Sequence, residues 1–205
     1  MQPAFGVIGL GRMAQALVVP LLESGRVRAD QLLAVVGGSG SLEQRREALP
    51  AGIALVAADD PSAQQVWTAP VQLLAVKPQQ LDSVAAAAGS VTGQPLLISV
   101  LAGVSLARLQ RLFPGHRCVR AVPNTPALVG AGLTALAWGE GIDPGQRDQV
   151  WQLFADVGEV LELAEAKLDS FLALTHPALP LWPWWPKPWP MGLLLPVFPG
   201  TWLCG

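Results

Sequence analysis

Cysteine and histidine are nearly absent from this chain of 205 residues, with two of each, and charged side chains make up only 14%. Cys118 and Cys204 fit no disulfide or metal-ligand spacing, and His116 and His176 have no partner at triad or metal spacing. His116 stands in a Pro-Gly loop and is expected to be exposed. The sequence offers no Ser/His/Asp set, carboxylate pair or His/Cys cluster. Thirteen basic and fifteen acidic residues give a net charge of −2 with no basic block, which argues against a nucleic-acid surface. No run reaches the roughly 18 uninterrupted apolar residues of a membrane helix, and no charged leader precedes a signal-like apolar core. The expectation is a soluble, cytoplasmic protein whose partner is a small molecule, with neither nucleic acid nor membrane.

Hydrophobic residues, by contrast, form about half of the chain, enough for a large core. The chain is organised around Phe5-Gly6-Val7-Ile8 followed by Gly9-Leu10-Gly11-Arg12-Met13-Ala14. An apolar run that ends in Gly-x-Gly-x-x-Ala and opens a helical pattern has the strand-turn-helix context of a dinucleotide fingerprint. Gly9 permits the tight turn, Gly11 lets the backbone approach a pyrophosphate, and Ala14 lets the helix sit close on the strand. The helix N-terminus then faces the phosphates with free N–H groups.

Apolar strand-like runs follow at 32–36, 53–56, 71–76, 95–100 and 117–122, separated by helical stretches at 12–24, 42–48, 61–67, 79–88 and 105–112. That alternation predicts βαβ units in an α/β, doubly wound, Rossmann-type domain over residues 1–163. Residues 132–137 and 159–163 could add edge strands around a helix over 144–156, with Asp143 as its cap and Pro144 in its first turn. Pro20 sits less comfortably, inside the first helix.

Just past the second strand, where NAD-preferring domains carry Asp or Glu for the ribose 2′-hydroxyl, the sequence reads Gly37-Gly38-Ser39-Gly40-Ser41, with Arg45 shortly after. Hydroxyls, backbone N–H groups and a cation suit a 2′-phosphate, so NADP is the expected cofactor, with NAD possible. A flexible turn with Ser41 as a helix cap is the plainer alternative. Ala75-Val76-Lys77-Pro78 stands at the carboxyl end of the fourth strand, where open α/β sheets bind ligands, and Pro78 keeps Lys77 extended. Pro123-Asn124-Thr125-Pro126 completes the rim, with an Asx-type turn as the structural alternative for Asn124.

Taken together, G-L-G-R-M-A, L-A-V-K-P-Q, I-S-V-L-A-G-V-S and V-R-A-V-P-N-T-P-A-L-V-G-A-G, in this order and spacing, resemble the pyrroline-5-carboxylate reductases over residues 4 to about 175. The resemblance implies hydride transfer from NAD(P)H to the C=N carbon of a cyclic imine, giving L-proline. It implies that Gly9, Leu10, Gly11, Arg12 and Met13 cradle the pyrophosphate and that Ser39 lies by the adenosine ribose. It further implies that Ala75, Val76, Lys77 and Pro78 line the dinucleotide and that Asn124 sits near the nicotinamide; the resemblance assigns no catalytic residue. Arg12 and Val122 replace Asn and Met of the family. Asp60 replaces an Asn used near the cofactor, and that role is not carried over. The alternatives are a related NADP-dependent imine or hydroxy-acid dehydrogenase, or a non-catalytic NADP-binding protein with an interaction tail.

From residue 176 the composition changes. Eight prolines and five tryptophans fall in thirty residues with Lys187 as the only full charge, and neither helical nor strand periodicity survives. Because Trp and Met have single codons, the underlying bases are constrained. Reading one base back permits V-A-V-V-A-E-A-L-A-D-G, an amphipathic helix with a glycine stop. Extending the shift gives S-G-P-A-F before it, and S-G-P-A is how the family enters its helical dimerisation domain. The expectation is therefore the start of a helical domain at 164–175 and an out-of-frame, disordered tail at 176–205. On that reading the family's homo-oligomer does not form and the chain as written has little reductase activity.

Overall fold

The computed structural model describes residues 2–38, 40, 42–46, 49–89, 91–124 and 132–175. Ser39, Ser41 and the 176–205 tail therefore lie outside the described residues, as do 125–131.

Eight strands form one sheet in the order β3-β2-β1-β4-β5-β6-β7-β8. β1 (Phe5–Ile8), β2 (Leu32–Val36), β3 (Ala54–Ala57), β4 (Val71–Leu74), β5 (Leu96–Ser99) and β6 (Arg117–Pro123) are mutually parallel. β1, β2, β4 and β5 are buried at every position, which explains their nearly continuous apolar sequence, interrupted by Gln72 in β4 and Ser99 at the end of β5: a parallel strand covered on both faces has no solvent side to alternate with. β7 (Gly132–Trp138) runs antiparallel to β6, and β8 (Gly158–Glu162) pairs parallel to β7. The two edge strands expected after residue 130 thus divide: β8 is an edge, whereas β7 is internal.

Helices cover both faces, as the doubly wound pattern requires. α1 (Arg12–Glu23) and α5 (Pro144–Ala155) pack through Leu17, Leu21, Val150 and Phe154 on one side of the sheet. α3 (Leu81–Ala88), α4 (Leu106–Leu112) and α6 (Glu165–Thr175) cover the other through Leu81, Leu109, Leu168 and Phe171. Each such large side chain contributes roughly 1.5–3 kcal/mol on burial. The short α2 (Leu42–Arg46) precedes β3. Asp143 caps α5 as expected: Gln146 N–H donates to its Oδ1 at 2.9 Å, and Gln146 Oε1 accepts from the Asp143 N–H at 3.3 Å. No helix among the described residues is long and apolar enough to cross a membrane.

Three local expectations are corrected. The segment read as a helix at 61–67 is a 3-10 helix, Pro61–Thr68, started by Asp60. It lies directly on β1 because Gly6 has no side chain: a Cβ there would be 2.8 Å from the Val66 carbonyl oxygen. The fourth strand stops at Leu74, two residues early, and the helical run read from residue 79 begins as a 3-10 turn at Pro78–Gln80. His116 is buried, contrary to the exposed loop position expected for it. Its ring packs edge-on to Phe113 and Trp67, at centroid separations of 5.6 and 6.0 Å, and its Nε2 lies 3.1 Å from Gln72 Oε1.

Candidate functional site

β1 is the strand from which the chain winds outward in both directions, to β2 and β3 on one side and to β4 and β5 on the other. The carboxyl ends of β1 and β4 therefore diverge into the crevice where open α/β sheets bind ligands. Two backbone hydrogen bonds hold its floor: the Gly9 N–H donates to the Val35 carbonyl at 2.9 Å and the Ala75 N–H to the Ile8 carbonyl at 2.8 Å.

Gly9 has φ +87°, and a Cβ on it would be 2.8 Å from both the Ala75 carbonyl oxygen and Val76 Cγ1. Glycine is required there on conformation and on space. Gly11 differs. It is the N-cap of α1 with an extended backbone, and a Cβ on it would meet nothing within 4 Å among the described residues. The open volume over Gly11 is where a ligand's backbone-sized group can approach. α1 has no side-chain cap and no acidic residue in its first turn, so its N-terminal N–H groups and positive dipole end face that volume uncompensated. Ala14 is wholly buried and brings the helix close to the sheet.

The crevice is about 470 Å³, with Gly9, Gly11 and Gly37 at its backbone edge and Arg45 and Lys77 as charged side chains; among the described residues no carboxylate lines it. Arg45 comes from α2, on the side of Gly37 and Gly38, and Lys77 from just past the end of β4 on the other side. Neither cation is held in an ion pair among the described residues. Lys77 is extended at φ −70°, ψ 142°, as its proline neighbour dictates. Its backbone is clasped both ways by Gln80, whose Oε1 accepts the Lys77 N–H at 3.3 Å and whose N–H donates to the Lys77 carbonyl at 2.9 Å. This leaves the exposed ammonium as the free part of the residue. Trp67 and Val84 supply apolar wall.

Of the residues expected at the cofactor, Gly9, Leu10, Gly11, Ala75, Val76 and Lys77 line this one crevice. Arg12 is exposed and Met13 half-buried on the first turn of α1, while Pro78 begins the 3-10 turn behind Lys77. Asn124 sits at the end of β6, two strands from β4, and is nearly buried. Its Oδ1 accepts the Leu133 N–H at 2.9 Å and its own N–H donates to the Leu133 carbonyl at 3.2 Å, so the amide ties the ends of β6 and β7 together. Asp60 has a local role: its Oδ1 accepts from the N–H and hydroxyl of Ser62 at 2.8 and 2.6 Å. Those bonds hold the Asp60 carboxyl below the usual carboxylate range. Gln64, Gln80 and Ser83 also line the crevice and carried no motif; only their placement on the 3-10 segments and α3 brings them there. Buried Cys118 has its thiol pushed up to about 12, which leaves it inert at neutral pH.

Comparison with known proteins agrees with this fold. Residues 4–103 match the family described as NADP oxidoreductase, coenzyme F420-dependent. The chain is 40% identical over 166 residues to a pyrroline-5-carboxylate reductase of Synechocystis, covering 80% of this chain and 60% of that one. It is 33% identical over 177 residues to that of Mycobacterium tuberculosis, covering 82% and 58%. Among solved structures, a pyrroline-5-carboxylate reductase from Coxiella burnetii superposes with a TM-score of 0.72 at 26% identity, over 87% of this chain and 65% of that one. The Plasmodium falciparum pyrroline carboxylate reductase, solved with NADP bound, has the same fold at a TM-score of 0.71 and 21% identity, over 85% and 63%. The chain spans about 60% of the length of the relatives it matches by sequence, and what it is similar to is the N-terminal part of those pyrroline-5-carboxylate reductases.

Proposed function

We propose that the crevice between β1 and β4 binds NADPH and that the protein serves the reduction of 1-pyrroline-5-carboxylate to L-proline in the cytoplasm. The observation that carries the cofactor is the crevice itself: a glycine turn and helix N-terminus between two cations, with no carboxylate among the described lining residues. Gly9, Leu10, Gly11 and the first-turn N–H groups of Arg12 and Met13 hold the pyrophosphate. Arg45, with the backbone of Gly37 and Gly38 and with Ser39, takes the 2′-phosphate of the adenosine ribose, where an Asp or Glu would repel it. Ala75, Val76, Lys77 and Pro78 flank the dinucleotide on the β4 side. Asn124 keeps the ends of β6 and β7 together beside the nicotinamide end. When bound, the reduced nicotinamide supplies a hydride to the C=N carbon of the cyclic imine.

The relatives' names support this reading over a reductase acting on another imine or hydroxy acid. Titration of the 205-residue protein with NADPH and NADH, followed by quenching of tryptophan fluorescence, tests the cofactor. Tighter NADPH binding is expected; equal affinity removes the preference, and no binding of either removes the site. NADPH oxidation with pyrroline-5-carboxylate tests the reaction, on this chain and on one in which the codons after Thr175 are read one base back. Reduction of a different substrate by the second protein would replace the proposed one.

A further inference from the structure

Beneath α6, on the sheet face that α4 also covers, lies a charge that the cofactor crevice does not use. Arg120 on β6 is 96% buried, flanked in register by Ser99 on β5 and Ala137 on β7. Its guanidinium makes no hydrogen bond to the sheet. Nη1 donates to Glu165 Oε1 at 3.3 Å and Nη2 to Asp169 Oδ1 at 2.8 Å, and both acceptors belong to α6. Its Nε–H has no acceptor among the described residues. The same Glu165 oxygen also takes the N–H of Leu106, in the first turn of α4, at 2.6 Å.

Glu165 and Asp169 are four residues apart and so lie one helical turn apart on one face. Between them Leu168 is fully buried, and Phe171 is the other buried apolar residue of the helix. Two apolar contacts attract a helix to a sheet but do not fix its axial position, since a slip of one turn still buries apolar surface. A planar guanidinium spanning one turn of carboxylates does fix it, because a slipped helix would leave a buried cation unpaired, which is strongly unfavourable. The two carboxylates are one-third and three-quarters exposed, so they lose little hydration themselves.

We propose that Arg120 is a positioning residue: it sets the register of α6 on the sheet and thereby the direction in which the chain leaves the nucleotide-binding sheet. Its bearing on imine reduction rests on the reductase reading above, whereas the docking does not. Arg120 is outside the crevice lining, so cofactor affinity and helix docking are separable.

The test is hydrogen exchange and NADPH titration on the full 205-residue chain with R120M, R120K, D169N and R120M/D169N. In R120M the amides of 165–175 are expected to exchange about tenfold faster while those of β1, β4 and β5 stay within about twofold, with NADPH affinity within about twofold of the parent. R120K, with a point charge in place of the fork, should be intermediate. D169N should speed α6 exchange when Arg120 is present and add nothing in R120M, a coupling that a purely space-filling role would not produce. Unchanged α6 protection in R120M overturns the proposal, as do additive effects of the two changes, or loss of α6, sheet protection and NADPH binding together. A parent chain that binds no NADPH defeats the cofactor reading and leaves the exchange result to decide the docking.

Discussion

The carbonyl oxygen of Ala75 lies 2.8 Å from the point a Cβ would occupy on Gly9, so the turn after β1 and the end of β4 touch at the position where a side chain is missing. Gly9→Ala is expected to force the two strand ends apart and to place alanine at φ +87°. The strain alone costs about 1–3 kcal/mol. Because it falls on the floor of the crevice, NADPH affinity should drop at least about tenfold, together with a lower thermal midpoint. Gly11→Ala makes the comparison: its Cβ meets no atom of the described residues within 4 Å, so stability should hold and only cofactor affinity should fall. Equal stability losses in the two variants would refute this division of roles.

Arg45 is the cation on the α2 side of the crevice, where the ribose phosphate is proposed to lie, and no carboxylate is among the described lining residues. A charge-assisted contact to a phosphate is worth about 1.5–3 kcal/mol, so Arg45→Gln should weaken NADPH binding by roughly ten- to a hundredfold. NADH, which has no 2′-phosphate, should bind as before. Parallel loss of both affinities in fluorescence titrations would move Arg45 from ribose selection to general electrostatics.

The sheet and the glycine turn were legible because their signals are local. A strand buried on both faces is mostly apolar, with a polar residue such as Gln72 only where its hydrogen bonds are met, and the tight turn against the neighbouring strand needs glycine. The Gln80 clasp on Lys77 and the tie from Asn124 to Leu133 were hidden, since each depends on where a backbone group falls in three dimensions. His116 was misread for the same reason. A Pro-Gly-His loop reads as surface, but Trp67 and Gln72 arrive from another part of the chain and, with the adjacent Phe113, bury it. The Arg120 cluster likewise has no sequence period, because its carboxylates lie 45 and 49 residues away.

The burial of His116 carries a pH dependence. Gln72 donates its amide N–H groups to the carbonyls of Trp67 and Ala69 at 3.0 Å each, so its Oε1 accepts and His116 carries its proton on Nε2. Nδ1 is buried with no hydrogen-bond partner among the described residues, and charging the ring would place a cation among aromatic faces. Burial lowers the His116 pKa from 6.5 to about 4. The folded protein therefore binds this proton less readily than the unfolded chain. Stability is complete above pH 6.5 and declines as pH falls toward 4, by roughly 3 kcal/mol at most. Urea midpoints between pH 7 and pH 4 should show the decline, and H116Q, which cannot titrate, should flatten it. An equal slope in both proteins would assign the loss to carboxylates alone.

The segment after Thr175 yields the prediction that bears most on activity. Trp-Pro-Trp-Trp-Pro-Lys-Pro-Trp-Pro-Met-Gly admits V-A-V-V-A-E-A-L-A-D-G one base back, and the same shift produces S-G-P-A-F just after Thr175. Prolines at 177, 180 and 183 each oppose continuation of a helix, whereas the shifted reading continues one. Sequencing of the gene across the codon for His176 is expected to find one base fewer here than an unbroken reading frame requires. A protein made from the repaired frame should reduce pyrroline-5-carboxylate orders of magnitude faster than the 205-residue chain, because hydride transfer needs the imine held in near-attack geometry at the nicotinamide. NADPH affinity should change far less than rate, since the crevice lies wholly within residues 8–87. An intact frame encoding the Trp-Pro run, together with full imine reduction by the 205-residue protein, would show the tail to be a genuine part of a working enzyme.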